Sequence, residues 1–500
     1  MNLLPQWTEK ADKRGLDPLG MQNSGVLLYQ SLLPGISNVT LRMRYYGYYC
    51  WVSETYAASG ATSDFEAWRS WVRRAEALYA LVSARAGEGG VGGVEWANRR
   101  LAAQDSIIDF AAAASTDPSQ ERYLRQSLGV FGGAYYTQMA EMNLFTQNRH
   151  GIQVATRDLG LRAANLFADA IGPDLARLLR DKTTHPQVTV ADLDRLLPIT
   201  PTRIDPQGDE RLFYETLLLA RDDTPGEGAR SRAATLHLIL DAARLAGTMP
   251  TPDLVRWHLF DSPPQVLPTP LEAQRLAWEA YQCQDLMQVA SATLLAWAIA
   301  IMNAQGQGST LAEIRVEVET HLSHEPAFAR SWHDLRLASP GFPFREAWDN
   351  LTSTRGAPAS KAARAVLLMA ALHQRLADRP ALADAVNHRL PVTGSAHSLR
   401  TERAWLENRE AQNVVALIAD YMIERVVRRH SWVAMQKLRR QRDYTFLFEQ
   451  RDARLAYLSG YQPVATTPRL APAIQFLEDI HLLDPQGPTA LGHAALEAAL

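Results

Sequence analysis

Residues 32–52 read LLPGISNVTLRMRYYGYYCWV, setting Arg42 and Arg44 two apart beside Tyr45, Tyr46, Tyr48, Tyr49 and Trp51. So much aromatic surface next to two full charges admits three readings: a stacking platform for nucleic acid, a catalytic pocket, or a buried helix with anchored arginines. Asn38 or Thr40 is placed to cap a helix here. At helical spacing Leu41, Tyr45, Tyr48 and Val52 share one face; Arg42, Tyr46 and Tyr49 share a second; Arg44, Tyr48 and Trp51 share a third. A helix that is aromatic nearly all round belongs in the middle of a bundle. The leading expectation is therefore a buried helix over 38–52. Arg42, Arg44, Tyr45, Tyr48 and Trp51 then line a core or a pocket, and Arg42 or Arg44 must meet a carboxylate or backbone carbonyls. A buried guanidinium without partners is too costly to keep.

Outward from this stretch the signals stay helical. The segment 63–86 opens with Ser63 as a cap and Glu66 three residues on, and Phe65, Trp68, Ala75 and Leu78 follow helical spacing. The same reading covers 119–147, 155–181, 210–221, 229–247, 271–304, 310–322, 360–377 and 402–438. Period-two alternation is nearly absent before residue 440. Glycine and proline clusters at 86–93, 196–210, 260–270, 338–344 and 389–398 mark connections. After residue 440, Tyr444, Phe446 and Phe448 alternate ahead of a polar turn, a β-hairpin signal. A helix over 467–483 follows, with Thr467 as its cap and Pro468 at its first position, then a Pro-Gln-Gly turn and a last short helix.

The predicted fold is mainly α: a multi-helix bundle body over 1–400, with sub-boundaries near 200 and 265, and a small α/β unit over 401–500. Five hundred residues leave ample chain for such a core. An apolar fraction of 47% and a charged fraction of 21% are those of a globular chain and exclude long disorder. With 51 Lys and Arg against 54 Asp and Glu, the net charge is −3, which excludes nucleic-acid binding through the whole surface. Only Cys50 and Cys283 occur, so there is neither a disulfide framework nor a thiolate metal site, as expected of a cytoplasmic protein. The first residues lack a signal-peptide pattern. The apolar segment 289–302 is too short to span a bilayer and reads as a buried helix.

Against the negative total, residues 424–444 are basic. Arg425, Arg428, Arg429, Lys437, Arg439, Arg440 and Arg442 stand against only Glu424 and Asp443, and Trp432, Val433 and Leu438 hold the helix to its core. Such a run is either a solvated helix face or a set of phosphate contacts. These seven residues are the expected nucleic-acid contacts. Arg425 and His430 also match the Arg-x4-His spacing of HEPN ribonucleases, although Val426 occupies a place where those motifs prefer a polar residue. A third cluster, His321, His324, Glu325, His333 and Asp334, concentrates metal-ligand types and resembles the His-Asp pair of HD phosphohydrolases, but Pro326 interrupts it. No metal, cofactor or catalytic residue is expected from these patterns. The glycine-rich 87–93 lacks the Lys-Ser/Thr of a phosphate loop.

The opening stretch, with its Pro-Gly, Thr, Arg-x-Arg-Tyr and Trp, resembles the N-terminal signature of uncharacterised helical bacterial proteins whose genes lie beside DNA-modification and anti-phage defence genes. Residues 430–449 and 467–484 resemble the C-terminal part of similar proteins. The resemblance covers about a fifth of the chain and brings no catalytic residues. The ending 476–496 also resembles the close of a winged-helix domain, but its helix carries Glu478 and Asp479, poor electrostatics for a major groove. The expected function is a non-enzymatic nucleic-acid- or protein-binding component of a defence system. Its partners would be nucleic acid along 425–442 and a protein of the defence complex, with no membrane. The alternative is a phosphodiester-cleaving enzyme, HEPN-like or metal-dependent, and a purely structural adaptor is a third reading.

Overall fold

The computed structural model describes residues 17–60, 63–117, 119–221, 225–261, 267–392 and 396–500. It is mainly helical, with 63% of the chain in helices and 5% in strands, the strands forming small two-stranded pairs. The chain divides into two compact units. One comprises residues up to 28 with 276–467, the other 29–275 with 468–500. Residues 401–500, expected as one C-terminal unit, are thus shared between the two. The divisions at 28/29 and 275/276 fall inside the helices Gln22–Leu32 and Thr269–Ala304.

In the unit built on 29–275, the opening stretch forms the helix Tyr45–Ala57 at the centre of an aromatic core. It begins later than expected: residues 38–44 are turns, and Thr40 closes one of them by accepting the Ser37 amide at 2.8 Å. Arg44, and not Asn38 or Thr40, precedes the first helical residue. The reason is electrostatic. Arg44 is 1% exposed and forks onto Glu210, Nε to Oε1 at 3.0 Å and Nη2 to Oε2 at 2.9 Å. Its Nη1 donates to the Pro198 and Thr200 carbonyls at 2.6 and 2.9 Å. Arg42 pairs with Asp479 at 2.9 Å, and the same carboxylate accepts the Met43 amide at 2.8 Å. Burial pushes the Asp479 carboxyl up to about 6, against the downward pull of Arg42 and that amide.

The tyrosines are buried against one another and against Tyr79 and Tyr135, with ring centroids 4.4 Å apart for Tyr48–Tyr79 and 4.8 Å for Tyr45–Tyr135. Three of the hydroxyls find acceptors: Tyr46 on the Gly35 carbonyl and Tyr48 on the Ala75 carbonyl, both at 2.7 Å, and Tyr49 on Glu76 at 2.8 Å. Glu76, itself buried, also accepts the Tyr123 hydroxyl and the Val130 and Phe131 amides, anchoring the start of a π-helical turn at Phe131–Tyr135. Gly47 lets the helix Leu159–Ile171 approach. A Cβ there would lie 2.2 Å from the Tyr214 hydroxyl and 3.3 Å from Phe167 Cβ.

Several boundaries depart from the sequence reading. The helix expected at 63–86 is Phe65–Arg85, capped by Asp64, whose carboxylate accepts the Ala67 amide, and not by Ser63. The range 119–147 contains only Phe131–Glu141, followed by the strand Phe145–Gln147, which pairs with Gln153–Ala155. A second pair joins Ile108–Asp109 to Gln187–Val188. Strands this short leave no period-two signal. Gly172 and Pro173 break 155–181 into two helices. The helix expected at 467–483 is Leu470–Asp479, preceded by Arg469 and not by Thr467 and Pro468. Its apolar face packs on the helices Glu227–Ala246 and Pro252–Asp261, and Arg469 is spent on the Leu33 carbonyl and Gln138. The hairpin Leu483–Pro488 rests on the end of Glu227–Ala246, with Met249 donating to the Pro485 carbonyl at 3.2 Å.

In the other unit the central element is the later part of Thr269–Ala304. The apolar segment 289–302 is part of this 36-residue helix, which agrees with the helix expected over 271–304. By length and composition it meets the requirement for a membrane span, yet 94% of its most apolar window is buried inside the protein. Polar side chains along it tie the surrounding segments down. Gln284 donates to the Met21 carbonyl and accepts the Leu399 amide, Asp285 accepts the Thr466 amide, and Ser291 bonds Tyr421. Arg375 and Arg379 converge on the buried Glu279. The expected C-terminal hairpin is present as Phe448–Arg451 paired with Arg454–Tyr457. The range 402–438 is not continuous but runs as Leu399–Glu407, Val414–Tyr421, a π-helical turn at Met422–Val427, and Arg428–Gln441. Both cysteines are free and buried, and burial pushes the Cys283 thiol up to about 12.

Removing one member of the Arg44–Glu210 pair strands the other charge in the aromatic core. Arg44→Met and Glu210→Ala should each cost about 3–5 kcal/mol in urea unfolding, and the double substitution Arg44→Met with Glu210→Met should recover part of that loss. Single-variant costs below about 1 kcal/mol would show that the pair is solvated in solution.

Candidate nucleic-acid interface

The basic run lies on the helix Arg428–Gln441 and the π-helical turn before it, and the structure sorts its seven cations into two sets. The first set is consumed inside the unit. Arg425 donates its Nε to Glu402 at 3.0 Å and its Nη2 to the other oxygen of that carboxylate. Arg429 donates to the Leu19 carbonyl at 2.9 Å and lies 4.5 Å above the Trp432 ring. Lys437 reaches the Asp17 carbonyl at 3.3 Å. Burial lowers the pKa of both Arg429 and Lys437. These residues bind residues 17–21 to the basic helix, helped by Gly20, where a Cβ would stand 3.0 Å from the Arg429 guanidinium. Asp17 in turn caps Gln22–Leu32 by accepting the Gln22 and Asn23 amides at 3.1 Å.

The second set is free. Arg428, Arg439, Arg440 and Arg442 are exposed, and among the described residues none forms an ion pair or a side-chain hydrogen bond. Eleven residues at 100° apiece bring Arg428 and Arg439 to within roughly 20° on the helix, and Arg429 and Arg440 likewise. Trp432 and Met435, 40% and 41% exposed, fall on the Arg428–Arg439 stripe. Arg442 ends the helix in the left-handed region at φ 56°, its amide on the Leu438 carbonyl at 3.1 Å. Beside the helix lies a cavity of about 650 Å³ whose wall includes Asp17, His397, Arg429, Trp432, Lys437 and Arg440.

Beneath this cavity sits a buried carboxylate that the sequence reading did not single out. Glu402 receives the Arg425 fork and the Thr401 hydroxyl, and His397 Nε2 stands 2.9 Å from it. His397 Nδ1 donates to the Leu19 carbonyl at 2.8 Å. Burial alone would push the Glu402 carboxyl up. The His397 ring and the Arg425 guanidinium outweigh it and hold the group well below the usual carboxylate range. Nothing in the sequence flags Glu402, because its partners come from positions 397 and 425 on other elements.

No protein family, curated sequence or solved structure matches this chain. Its chemistry rests on its own geometry.

That geometry bears on the other motifs. His430, the second half of the Arg-x4-His spacing, is 1% exposed; its Nδ1 donates to the Pro18 carbonyl at 3.1 Å and its Nε2 accepts the Leu447 amide at 3.0 Å. With both ring nitrogens occupied and Arg425 held on Glu402, this pair serves packing and has no free group for acid–base work. His321 Nε2 donates to the Ala359 carbonyl at 3.1 Å and the ring leans on Trp297, His324 follows the end of Leu311–Ser323, and His333 meets Glu410 at 3.4 Å. Among the described residues no group of three or more His, Cys, Asp or Glu side chains could hold a metal ion. Arg44, Tyr45, Tyr48 and Trp51 are core residues, while Arg42 reaches the wall of a cavity of about 400 Å³ with Asp479 and His481.

The Glu402 cluster has a pH signature. A carboxyl held below its ordinary value of 4.5 contributes stability that is present above that pH and lost as pH falls toward its folded value. The melting temperature should therefore drop on acidification below about pH 4.5, and Glu402→Gln should flatten part of that acid limb while lowering Tm at pH 7. An unchanged acid limb in the variant would remove Glu402 from the account.

Proposed function

We propose that this chain is a non-enzymatic, cytoplasmic nucleic-acid-binding component, with the contacts made by the exposed stripe of Arg428–Gln441 and by Arg442. The observation that carries this reading is the unspent charge. Four arginines face solvent without carboxylate partners on a chain whose net charge is negative, next to an exposed indole and a polar cavity. Guanidinium groups bind phosphate oxygens in pairs, and an indole offers a stacking face to a base. Of the seven residues singled out in the sequence, Arg428, Arg439, Arg440 and Arg442 are the phosphate contacts proposed here, and Arg425, Arg429 and Lys437 hold the helix in place. Service in a bacterial anti-phage defence system, with a protein partner, is part of the same proposal and rests on the resemblance of residues 32–52, 430–449 and 467–484. In this reading the helix–hairpin–helix order of 470–497 is winged-helix-like in sequence only as a packing element, because its apolar face and Arg469 are turned inward.

Arg439→Gln, Arg440→Gln and Arg442→Gln combined should weaken binding of a labelled oligonucleotide and reduce the slope of log K against log salt by about 3, about one per lost phosphate contact. Tm should hold, because solvated arginines contribute little to stability. Equal affinity and slope for variant and parent protein would overturn the proposal. Co-purification of a protein partner lost in the triple variant, with no oligonucleotide bound by either, would replace it with a protein-docking role.

A further inference from the structure

The π-helical turn before the basic helix is bordered by a second cavity, and Arg425 is the one residue of its wall that the sequence motifs singled out. Its volume is about 670 Å³, close to that of the first, and its wall includes Arg400, Arg403, Trp405, Asn408 and Arg425. The cations outnumber the carboxylates, of which only Glu407 takes part among the wall residues. Arg400 sits on the Asn387 and Leu390 carbonyls at the end of Pro380–Arg389, and Arg403 stands 3.7 Å from Glu407. Trp405 is half-buried, its indole donating to Glu424 at 3.1 Å, with the Arg409 guanidinium 4.1 Å from its ring centroid. The first cavity likewise sets cations beside an indole, Arg429, Lys437 and Arg440 beside Trp432 with Arg429 over the ring, and its wall also holds Asp17 and Asp443.

The two cavities adjoin. Ala396 belongs to the wall of both, and Glu402 links them from below, meeting His397 of the first and Arg425 of the second. From Arg425 to Arg440 the helix covers about 22 Å at 1.5 Å per residue. That is room for about six nucleotides at the duplex spacing of 3.4 Å per strand, and fewer in a stretched chain. We infer that the two cavities form one path for single-stranded nucleic acid, with the Trp405 cavity and the Trp432 cavity each receiving a nucleotide unit and the exposed Arg428, Arg439 and Arg440 following the phosphates. The inference rests on the nucleic-acid reading above and narrows it. Volumes of this size suit a nucleotide-sized ligand, for which pockets run from about 300 to 1,000 Å³. A duplex keeps its bases stacked on one another; it would reach the exposed arginines but would leave both indoles and both cavities unused. Only an unpaired strand offers phosphates and open rings together.

The test uses the full chain with a 20-nucleotide oligo(dT), an oligo(U) of the same length and a mixed-sequence duplex. Single strands should bind at least about tenfold more tightly than duplex, and Arg400→Gln with Arg403→Gln should lower single-strand affinity by about tenfold and the salt slope by about 2. Because Arg400 also supports a helix end, photocrosslinking on the unmodified protein provides a second readout. A strand substituted with 5-iodouracil should crosslink to the peptides carrying Trp405 and Trp432. Crosslinks at Trp432 alone, or a folded Arg400/Arg403 variant that binds normally, would overturn the two-cavity path and leave the proposed function standing. Duplex binding as tight as single-strand binding would overturn the single-strand assignment in the same way. Failure of all three nucleic acids to bind would remove both.

Discussion

A charge taken out of water has to be met by another charge or by a full set of hydrogen bonds, and this requirement organises both units of the protein. Arg44 is enclosed among tyrosines, and its fork on Glu210 and two backbone carbonyls determine where the central aromatic helix starts. Arg42 and Asp479 do the same for the residues just before it. In the other unit Glu279 gathers Arg375 and Arg379, and Glu402 gathers Arg425 beside His397. Pairs of this kind are weak sources of net stability but strict selectors of geometry, since breaking one leaves a bare charge in an apolar setting.

The same rule separates structure from function in the basic run. A cation pinned on a buried carboxylate or against the packed 17–21 segment is committed to the fold, and this takes Arg425, Arg429 and Lys437 out of the exposed set. Arg428, Arg439, Arg440 and Arg442 point to water and remain uncompensated. Residues 17–21 do much of the sorting: three successive carbonyl contacts, from Asp17, Pro18 and Leu19, neutralise or orient Lys437, His430 and Arg429. The local excess of positive charge is therefore smaller than the sequence count suggests, but it is concentrated beside an indole and a cavity.

Helix content, the burial of the tyrosine-rich stretch and the need for partners at Arg42 and Arg44 were legible in the sequence, because they follow from local spacing and the cost of desolvation. The positions of caps and breaks were less so. Asp64 displaced Ser63, and Arg44 displaced Asn38 and Thr40, since a cap one or two residues along is nearly as good locally and tertiary contacts choose between them. The strand pairs at 108–109 and 187–188 escaped because two residues carry no period, and their pairing spans nearly eighty positions. The cavity beside Trp405 was invisible for a related reason: of its cations only Arg425 belongs to the basic run, while Arg400 and Arg403 stand in a segment with no excess of charge.

By itself, then, the amino-acid sequence determined a mainly helical chain, a buried aromatic helix and a basic segment on a mildly acidic protein, all properties set within a few turns of helix. Tertiary structure alone decided which arginines are spent and which are free, that residues 468–500 belong with 29–275, and that two cation-and-indole cavities share a wall. The physical reason is range. Periodicity and desolvation act on neighbours along the chain, whereas the pairing of a buried charge depends on whichever carboxylate or carbonyl the folded chain brings to it.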